Sequence, residues 1–295
     1  MSEDSAWPRA SAWLGSTAGP CDVAVIGVPA YRTSISATGA HATPAAIRAA
    51  LARYSTYSAT ADIDVLSLVA FDAGDVLGPD FDEGEARVIA RVKQVASTST
   101  LLIALGGDNS LTYGVALGVW GPRIASAGLV TLDAHHDLRD GVSNGSPVRR
   151  LVEAGLSGQR VVQIGIADFS NSAEYAARAR DLGITVITRG ALRTRPIADA
   201  MAEALEIAAS AGGPVHVDLD VDVCDRAVVP GCPAAAPGGI SADELRQAAF
   251  LAGAHRAVES VDIAEIDATA DSADQRTVRL GALLLLEAAA GLASR

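Results

Sequence analysis

The chain has 295 residues, 49% of them hydrophobic and only 4% aromatic, and it carries a formal net charge of −12. An acidic protein repels phosphate backbones, and no apolar run reaches the roughly 18 residues of a membrane-spanning helix, so we expect neither nucleic acid nor a membrane as partner. There is no signal-peptide pattern at the N-terminus and no paired framework among Cys21, Cys224 and Cys232, which predicts a reduced, cytoplasmic protein.

Strand-like apolar runs alternate with helix-like segments from residue 22 onward. The predicted strands are 22–28, 65–70, 100–105, 128–133, 160–166, 185–188, 215–220 and 258–266. The predicted helices are 44–54, 83–95, 110–117, 148–153, 172–182, 197–211, 242–254 and 278–290. This alternation predicts an α/β fold with three αβα layers around a doubly wound, mostly parallel, eight-stranded sheet. Without a linker or repeat, residues 21–295 are predicted to form one domain, preceded by an irregular arm over 1–20.

An acidic cluster follows the fourth predicted strand. If the chain stays extended, Asp133, His135 and Asp137 share one face and His136 points the other way. In doubly wound sheets, ligands bind beyond the carboxyl ends of the strands. Two carboxylates and an imidazole at such a position are suitable ligands for a hard metal ion.

A second cluster ends the seventh predicted strand, where the same alternation places Asp218, Asp220 and Asp222 on one face. Like charges this close repel each other and raise each other's pKa unless cations compensate. A single run of this kind is usually a solvated loop, but two runs in phase at two strand ends favour a metal site. Glu265, at the last predicted strand, is placed either to hold a cationic substrate group or to form a salt bridge.

Taken together, these motifs resemble those of the ureohydrolase superfamily, which includes arginases, agmatinases and formimidoylglutamases. The matching segments are 27–29, 39–48, 72–75, 133–137, 220–225 with 230–231 and 237–239, and Glu265. The resemblance implies an arginase-like fold, a binuclear manganese site that activates water, and a homo-oligomer, either a trimer or a hexamer.

By motif, the resemblance implies that Asp133 and Asp220 bridge two Mn²⁺ ions. Asp137 would bind one ion, and His135 and Asp222 would bind the other. The carboxylates of Asp133, Asp137, Asp220 and Asp222 would then balance the charge of the two divalent ions.

The chain departs from the family at two asparagines. Asn109 stands where a histidine usually binds the first metal ion, and Asn144 stands where a histidine often carries protons. An amide oxygen binds Mn²⁺ less strongly than imidazole, so the metal site that includes Asn109 is expected to be weak or empty. With asparagine at position 109, the chain resembles a formimidoylglutamase subgroup of the superfamily.

The substrate is expected to be a small amidine or guanidine. Arg139 closely follows the first acidic cluster, and its guanidinium is suited to a substrate carboxylate, unless it pairs with Asp140 instead. This favours N-formimidoyl-L-glutamate, an intermediate of histidine catabolism, with L-glutamate and formamide as products. Asp137 would then carry a proton to the leaving nitrogen, Glu265 would bind the amidine cation, and Arg139 and Asn144 would complete the substrate-binding set.

Two alternatives remain open. One is a guanidinohydrolase of the agmatinase, guanidinobutyrase or arginase type, which releases urea. The other is a catalytically weak homologue with a structural or regulatory role, suggested by Asn109 and Asn144. The remaining acids of the two clusters argue against this second alternative, because a site without catalytic use has no need for buried acids.

Overall fold

A computed structural model describes residues 6–15 and 19–295. Its central sheet has eight strands, which we number in chain order: β1 Cys21–Val28, β2 Ala70–Asp75, β3 Ser99–Gly106, β4 Gly128–Leu132, β5 Val161–Ile166, β6 Thr185–Thr188, β7 Val215–Asp220 and β8 Val258–Ala264. Their order across the sheet is β2-β1-β3-β8-β7-β4-β5-β6, and every neighbouring pair is parallel. The predicted eight-stranded, doubly wound sheet is therefore confirmed.

Helices cover both faces of this sheet. They are α1 Thr43–Ala50, α2 Phe81–Ala96, α3 Leu111–Trp120, α4 Pro147–Glu153, α5 Ala173–Asp181, α6 Ile197–Ala208, α7 Ala242–Ala254 and α8 Arg276–Ala293. Neighbouring residues of one strand point to opposite faces, so Val25 joins the core under α1, α6, α7 and α8, whereas Ile26 joins the core under α2, α3 and α4. Strands buried on both faces explain the continuous apolar runs of the sequence. All eight predicted helices occur, with small shifts at their ends.

The predicted strand over residues 65–70 is wrong. Val65–Ser67 form a 3-10 turn, in which the Asp64 side chain accepts a hydrogen bond from the Leu66 amide at 3.0 Å, and β2 begins only at Ala70. β2 is an edge strand whose residues after Ala70 are half-buried or exposed, so it lacks the apolar run on which the prediction relied. A short antiparallel pair, Tyr57–Ser58 with Ile63–Asp64, was not predicted.

Part of the predicted arm over 1–20 lies outside the described residues. The described portion follows the edge of the sheet, since Gly15 bridges Phe71 of β2 and the Trp13 indole donates a hydrogen bond to the Leu68 carbonyl at 3.1 Å. Among the helices within 6–15 and 19–295, none has an apolar stretch long enough to cross a bilayer.

The register of the central strands places the predicted site residues at the same level along the strand direction. Asp218 of β7 pairs with Thr131 of β4 on one side and with Asp262 of β8 on the other. The loops that follow these strands consequently start side by side at the carboxyl edge of the sheet. Both acidic clusters and Glu265 lie in those loops or at the strand ends that precede them.

Candidate metal and substrate site

Three of the predicted metal-binding residues meet at the ends of β4 and β7. His135 Nδ1 lies 2.7 Å from Asp222 Oδ2 and 3.4 Å from Asp133 Oδ1. One potential ligand atom from each of these residues lies within 4.8 Å of the other two. Both carboxylates are buried, whereas the His135 side chain is 32% exposed. The group is thus open on the His135 side.

The extended conformation predicted for 133–137 is wrong. β4 ends at Leu132, and the chain turns at once, with Asp137 in the left-handed region at a φ of 53°. The Asn171 side chain holds this turn, because it donates to the Ala134 carbonyl and accepts from the His136 amide, both at 2.9 Å. A turn, rather than strand alternation, therefore brings these residues together.

His136 was expected to point away from the site. Its Nδ1 lies 2.7 Å from Oε1 of Gln163 on β5, and Gln163 Nε2 donates to the His136 carbonyl at 2.8 Å. His136 nevertheless lines the same cavity as its acidic neighbours. The prediction of an opposite face is therefore wrong in part, again because the chain turns here.

The second cluster is arranged by a different turn. β7 ends at Asp220, and the 3-10 turn Val221–Val223 carries Asp222, whose amide donates to Asp220 Oδ1 at 2.8 Å. Asp222 Oδ1 also accepts a hydrogen bond from the Ala134 amide at 2.9 Å, which ties the two clusters together. The predicted alternation consequently holds for Asp218 and Asp220 but not for Asp222. Asp225 stabilises a loop, because its carboxylate accepts hydrogen bonds from the Ala227 and Gly238 amides.

The two unusual asparagines both contact Glu265. Glu265 Oε1 accepts hydrogen bonds from the Asn109 amide at 2.7 Å and from Asn144 Nδ2 at 2.8 Å. Asn109 Nδ2 donates to Asp137 Oδ2 at 2.6 Å, while Asn109 Oδ1 accepts from the Thr112 hydroxyl at 2.7 Å. Asn109 thus links Asp137 to Glu265, and its oxygen, the atom expected to bind metal, contacts α3.

Burial and crowding perturb the acids of both clusters. Burial, with the Asp222 charge adding to it, raises the pKa of Asp133 to about 7. Burial also raises the pKa values of Asp137 and Asp220 well above the usual range, and the charges of Asp133 and Asp222 add to the respective shifts. In contrast, burial alone would lower the pKa of His135, but Asp222 and Asp133 raise it to about 12. The site therefore attracts positive charge.

Glu265 lies in the same electrostatic environment. Burial, followed by the charge of Asp108, raises the pKa of Glu265 to about 8, although the hydrogen bonds from Asn144 and Asn109 act in the opposite direction. Its backbone is also unusual, with a φ of 63° directly after β8. A left-handed conformation is rare for a residue with a long side chain, and such positions concentrate at functional sites.

The donor set fits divalent cations. Asp133 Oδ2 is buried and has no hydrogen-bond partner within the described part of the chain. Carboxylate oxygens and an imidazole nitrogen are suitable ligands for Mn²⁺, and the metal charge would remove the repulsion between the acids. The residues present therefore match a site for cations of this class.

A cavity of about 250 Å³ opens over these residues. Its buried end is formed by His136, Asp137, Asp220, Asp222 and Glu265, and its more exposed end by Ile35, Ser36, Arg139, Asn144, Ser170, Asn171, Ser172 and Tyr175. Arg139 is exposed and forms no ion pair with any described residue. The predicted alternative, pairing with Asp140, is not observed, because Asp140 pairs with Arg178 at 2.8 Å.

Sequence reasoning missed two residues that shape this site, Thr112 and Asn171. Thr112 follows Asn109 by three residues at the start of α3, a spacing that places two side chains on one side of a helix end. Asn171 is one of only three asparagines in the chain, and the other two, Asn109 and Asn144, also contribute to the site. This concentration of a rare residue type was a usable signal.

Known proteins are similar to this chain in sequence and architecture. The sequence model of the arginase family matches residues 21–291. A formimidoylglutamase from Halalkalibacterium halodurans is 36% identical over 84% of this chain and 80% of its own length. The crystal structure of Bacillus subtilis formimidoylglutamase is 30% identical, with a TM-score of 0.92 over 99% of this chain and 94% of that one. A Trypanosoma cruzi formiminoglutamase crystallised with Mn²⁺ is 25% identical, with a TM-score of 0.89 over 98% of this chain and 99% of that one. The chain belongs to the arginase family.

Proposed function

We propose that this protein hydrolyses a C–N bond of an anionic linear amidine, converting N-formimidoyl-L-glutamate to L-glutamate and formamide. The polarity of the cavity carries this proposal. Its buried end is acidic and suits the amidinium group, and its exposed end offers Arg139, whose guanidinium has no ion pair with a described residue. Formimidoylglutamate has a cationic amidine at one end and carboxylates at the other. Formimidoylglutamases among the relatives support the same choice.

We further propose that the site holds two Mn²⁺ ions, as the Trypanosoma cruzi relative is described with this metal. The residues assigned to them are Asp133, Asp220, Asp137, Asn109, His135 and Asp222. When bound, such ions lower the pKa of a water molecule from about 15.7 to about 7 and so supply hydroxide at neutral pH. The ion on the Asn109 side is the weaker one in this proposal, because the Asn109 oxygen already accepts the Thr112 hydroxyl.

Glu265 and Asp137 have separate roles in the proposed reaction. Glu265 binds the amidinium group, and the hydrogen bonds from Asn109 and Asn144 hold its carboxylate in position. Asn144 thereby contributes to substrate binding through Glu265. Asp137, whose carboxylate accepts a hydrogen bond from Asn109 Nδ2 at 2.6 Å, would accept a proton from the attacking water and pass it to the leaving nitrogen. The C–N bond breaks as the new C–O bond becomes the formamide carbonyl, and the nitrogen leaves as the amine of glutamate.

The alternatives make different demands on the same cavity. A guanidinohydrolase would use the same acidic end for a guanidinium group, but an amine substrate such as agmatine gives Arg139 no anionic partner. A catalytically weak homologue would explain Asn109 and Asn144, yet the Asn144 side chain donates to Glu265 and the Asn109 side chain donates to Asp137, which orders the site. These contacts favour catalysis over a structural role.

The experiment that tests the proposal is a substrate panel with added Mn²⁺, in which formamide and urea release are measured together. Formimidoylglutamate should yield formamide, and agmatine, guanidinobutyrate and arginine should yield little urea. Urea release as the main activity would favour the guanidinohydrolase, and no turnover of any substrate would favour the weak homologue.

We also propose one catalytic domain over 21–295 with an arm over 1–20, assembly into a homo-oligomer, a cytoplasmic location and a role in histidine catabolism.

A further inference from the structure

A second set of polar groups lies one layer beneath the candidate metal site. Thr131, Asp218 and Asp262 stand side by side on β4, β7 and β8, because the strand register pairs Asp218 with both of the others. All three are fully buried. Asp220 follows Asp218 by two residues on β7 and therefore points to the same face of the sheet. Two additional acids, Asp218 and Asp262, therefore lie beneath the metal-binding candidates.

Asp262 is supported from below by two further buried side chains. His216 Nε2 lies 3.0 Å from Asp262 Oδ2, and His216 Nδ1 lies 2.7 Å from the Ser260 hydroxyl. The Trp120 ring system packs nearly perpendicular to the His216 ring, with 6.4 Å between the ring centroids. His216 and Ser260 are both 0% exposed. Asp262 therefore has a hydrogen-bonded partner inside the protein.

Asp218 has no comparable support. Neither of its carboxyl oxygens accepts a hydrogen bond from a donor group of the described residues, the second Asp262 oxygen accepts none either, and Thr131 Oγ1 has no hydrogen-bond partner among them. Leaving a buried polar group without a hydrogen-bond partner lowers the stability of a fold, and the loss is larger when the group is charged. In the absence of metal, the Asp218 carboxyl group therefore adds no accepted hydrogen bond to the fold.

We propose that Asp218 is a positioning residue for metal binding, which from one layer below Asp220 strengthens the hold of the site on divalent cations. The inference rests on the metal site of the proposed function. A buried negative charge close to bound cations attracts them strongly, because little water lies between to screen the interaction. Groups behind the direct ligands typically change metal affinity by about 10- to 100-fold. Asp218 thus favours the metal-bound state over the metal-free one.

The test compares Asp218→Asn with the unaltered protein in two measurements that do not depend on turnover. Calorimetric titration of the metal-free protein with Mn²⁺ should show affinity weakened about 10- to 100-fold. Thermal unfolding of the metal-free protein should occur at the same or a higher temperature, because asparagine has nearly the same shape and the substitution removes no hydrogen bond accepted by Asp218. A purely structural residue would give the opposite pattern, with lower metal-free stability and unchanged Mn²⁺ affinity.

Thr131→Val is the matched control. Thr131 lies in the same layer, next to Asp218 in register, and its hydroxyl is likewise buried and unpartnered, but it carries no charge. Its substitution should leave Mn²⁺ affinity unchanged. Asp218→Ser serves as a second variant if Asp218→Asn does not fold, and it should weaken Mn²⁺ binding in the same way.

The outcomes separate this inference from the proposed function. If the unaltered protein binds Mn²⁺ and releases formamide while Asp218→Asn binds Mn²⁺ equally tightly, the role of Asp218 is refuted and the proposed function stands. Failure of both Asp218 variants to fold would refute it as well, because that result makes Asp218 a structural residue. If the unaltered protein binds no Mn²⁺, both proposals are overturned.

Discussion

Arg139 is the residue on which the proposed choice of substrate depends most. Its side chain is exposed at the cavity mouth and pairs with no described acid, so Arg139→Ala would remove a substrate contact without leaving a protein carboxylate unpaired. A hydrogen bond to a charged group contributes about 1.5–3 kcal/mol, and a tenfold change in affinity corresponds to about 1.4 kcal/mol. Because solvent screens an exposed site, the lower part of that range applies. The KM for formimidoylglutamate should therefore rise about 10- to 30-fold, with a smaller change in kcat.

The assay is steady-state formamide release in the presence of Mn²⁺. Alanine at this position keeps the two backbone hydrogen bonds of Arg139, to the Gly145 carbonyl and from the Arg149 guanidinium, so the unfolding temperature should not change. Arg139→Lys should give an intermediate KM, because a single ammonium group replaces the forked guanidinium. An amidine without a carboxylate should be hydrolysed equally well by the unaltered protein and by Arg139→Ala. An unchanged KM for formimidoylglutamate would refute the assignment of Arg139.

Three further predictions concern buried residues of the candidate site. Glu265→Gln keeps an oxygen that can accept from the Asn109 amide and Asn144 but removes the charge, so kcat/KM should fall about 10- to 100-fold; unchanged kinetics would exclude Glu265 as the amidinium partner. Asn109→His replaces an amide with an imidazole and should tighten the weaker Mn²⁺ site, as measured by calorimetry; equal or weaker binding would count against a metal-binding role at position 109. Folding raises the pKa of Asp133 from about 3.9 in an unfolded chain to about 7, so the folded, metal-free protein binds more protons between these values. Its stability should therefore fall as pH rises from about 4 to about 7. Urea unfolding across this range should show the decline, and saturating Mn²⁺ should abolish it; a metal-free stability that rises with pH would contradict the assignment.

The sequence was sufficient for the centre of the fold but not for its edge. β4 and β7 are buried on both faces, so their apolar runs identify them as interior strands of a parallel sheet. β2 has a neighbour on one side only and is partly exposed, so its polar residues did not suggest a strand. β2 is defined as a strand by its pairing with β1, and a local sequence pattern does not reveal pairing partners.

The identities of the site residues were more predictable than their arrangement. Strand alternation was the wrong reason for the convergence of Asp133 and His135, because the turn that joins them depends on Asn171, far along the chain. Likewise, the direction of the Asn109 side chain depends on the hydroxyl of Thr112. Such contacts involve side chains whose positions only the complete fold determines. Residue types at strand ends therefore indicated the chemistry of the site, and long-range hydrogen bonds determined its geometry.

The central electrostatic claim is that the buried acids share protons in the metal-free protein and exchange those protons for cations. Calorimetric titration with Mn²⁺ at pH 7, repeated in buffers of different ionisation enthalpy, measures the protons released on binding. Because the pKa of Asp133 is about 7 and those of Asp137 and Asp220 are well above the usual range, binding should release at least one proton per chain. Tight binding without proton release, or no binding of Mn²⁺ at all, would contradict the claim.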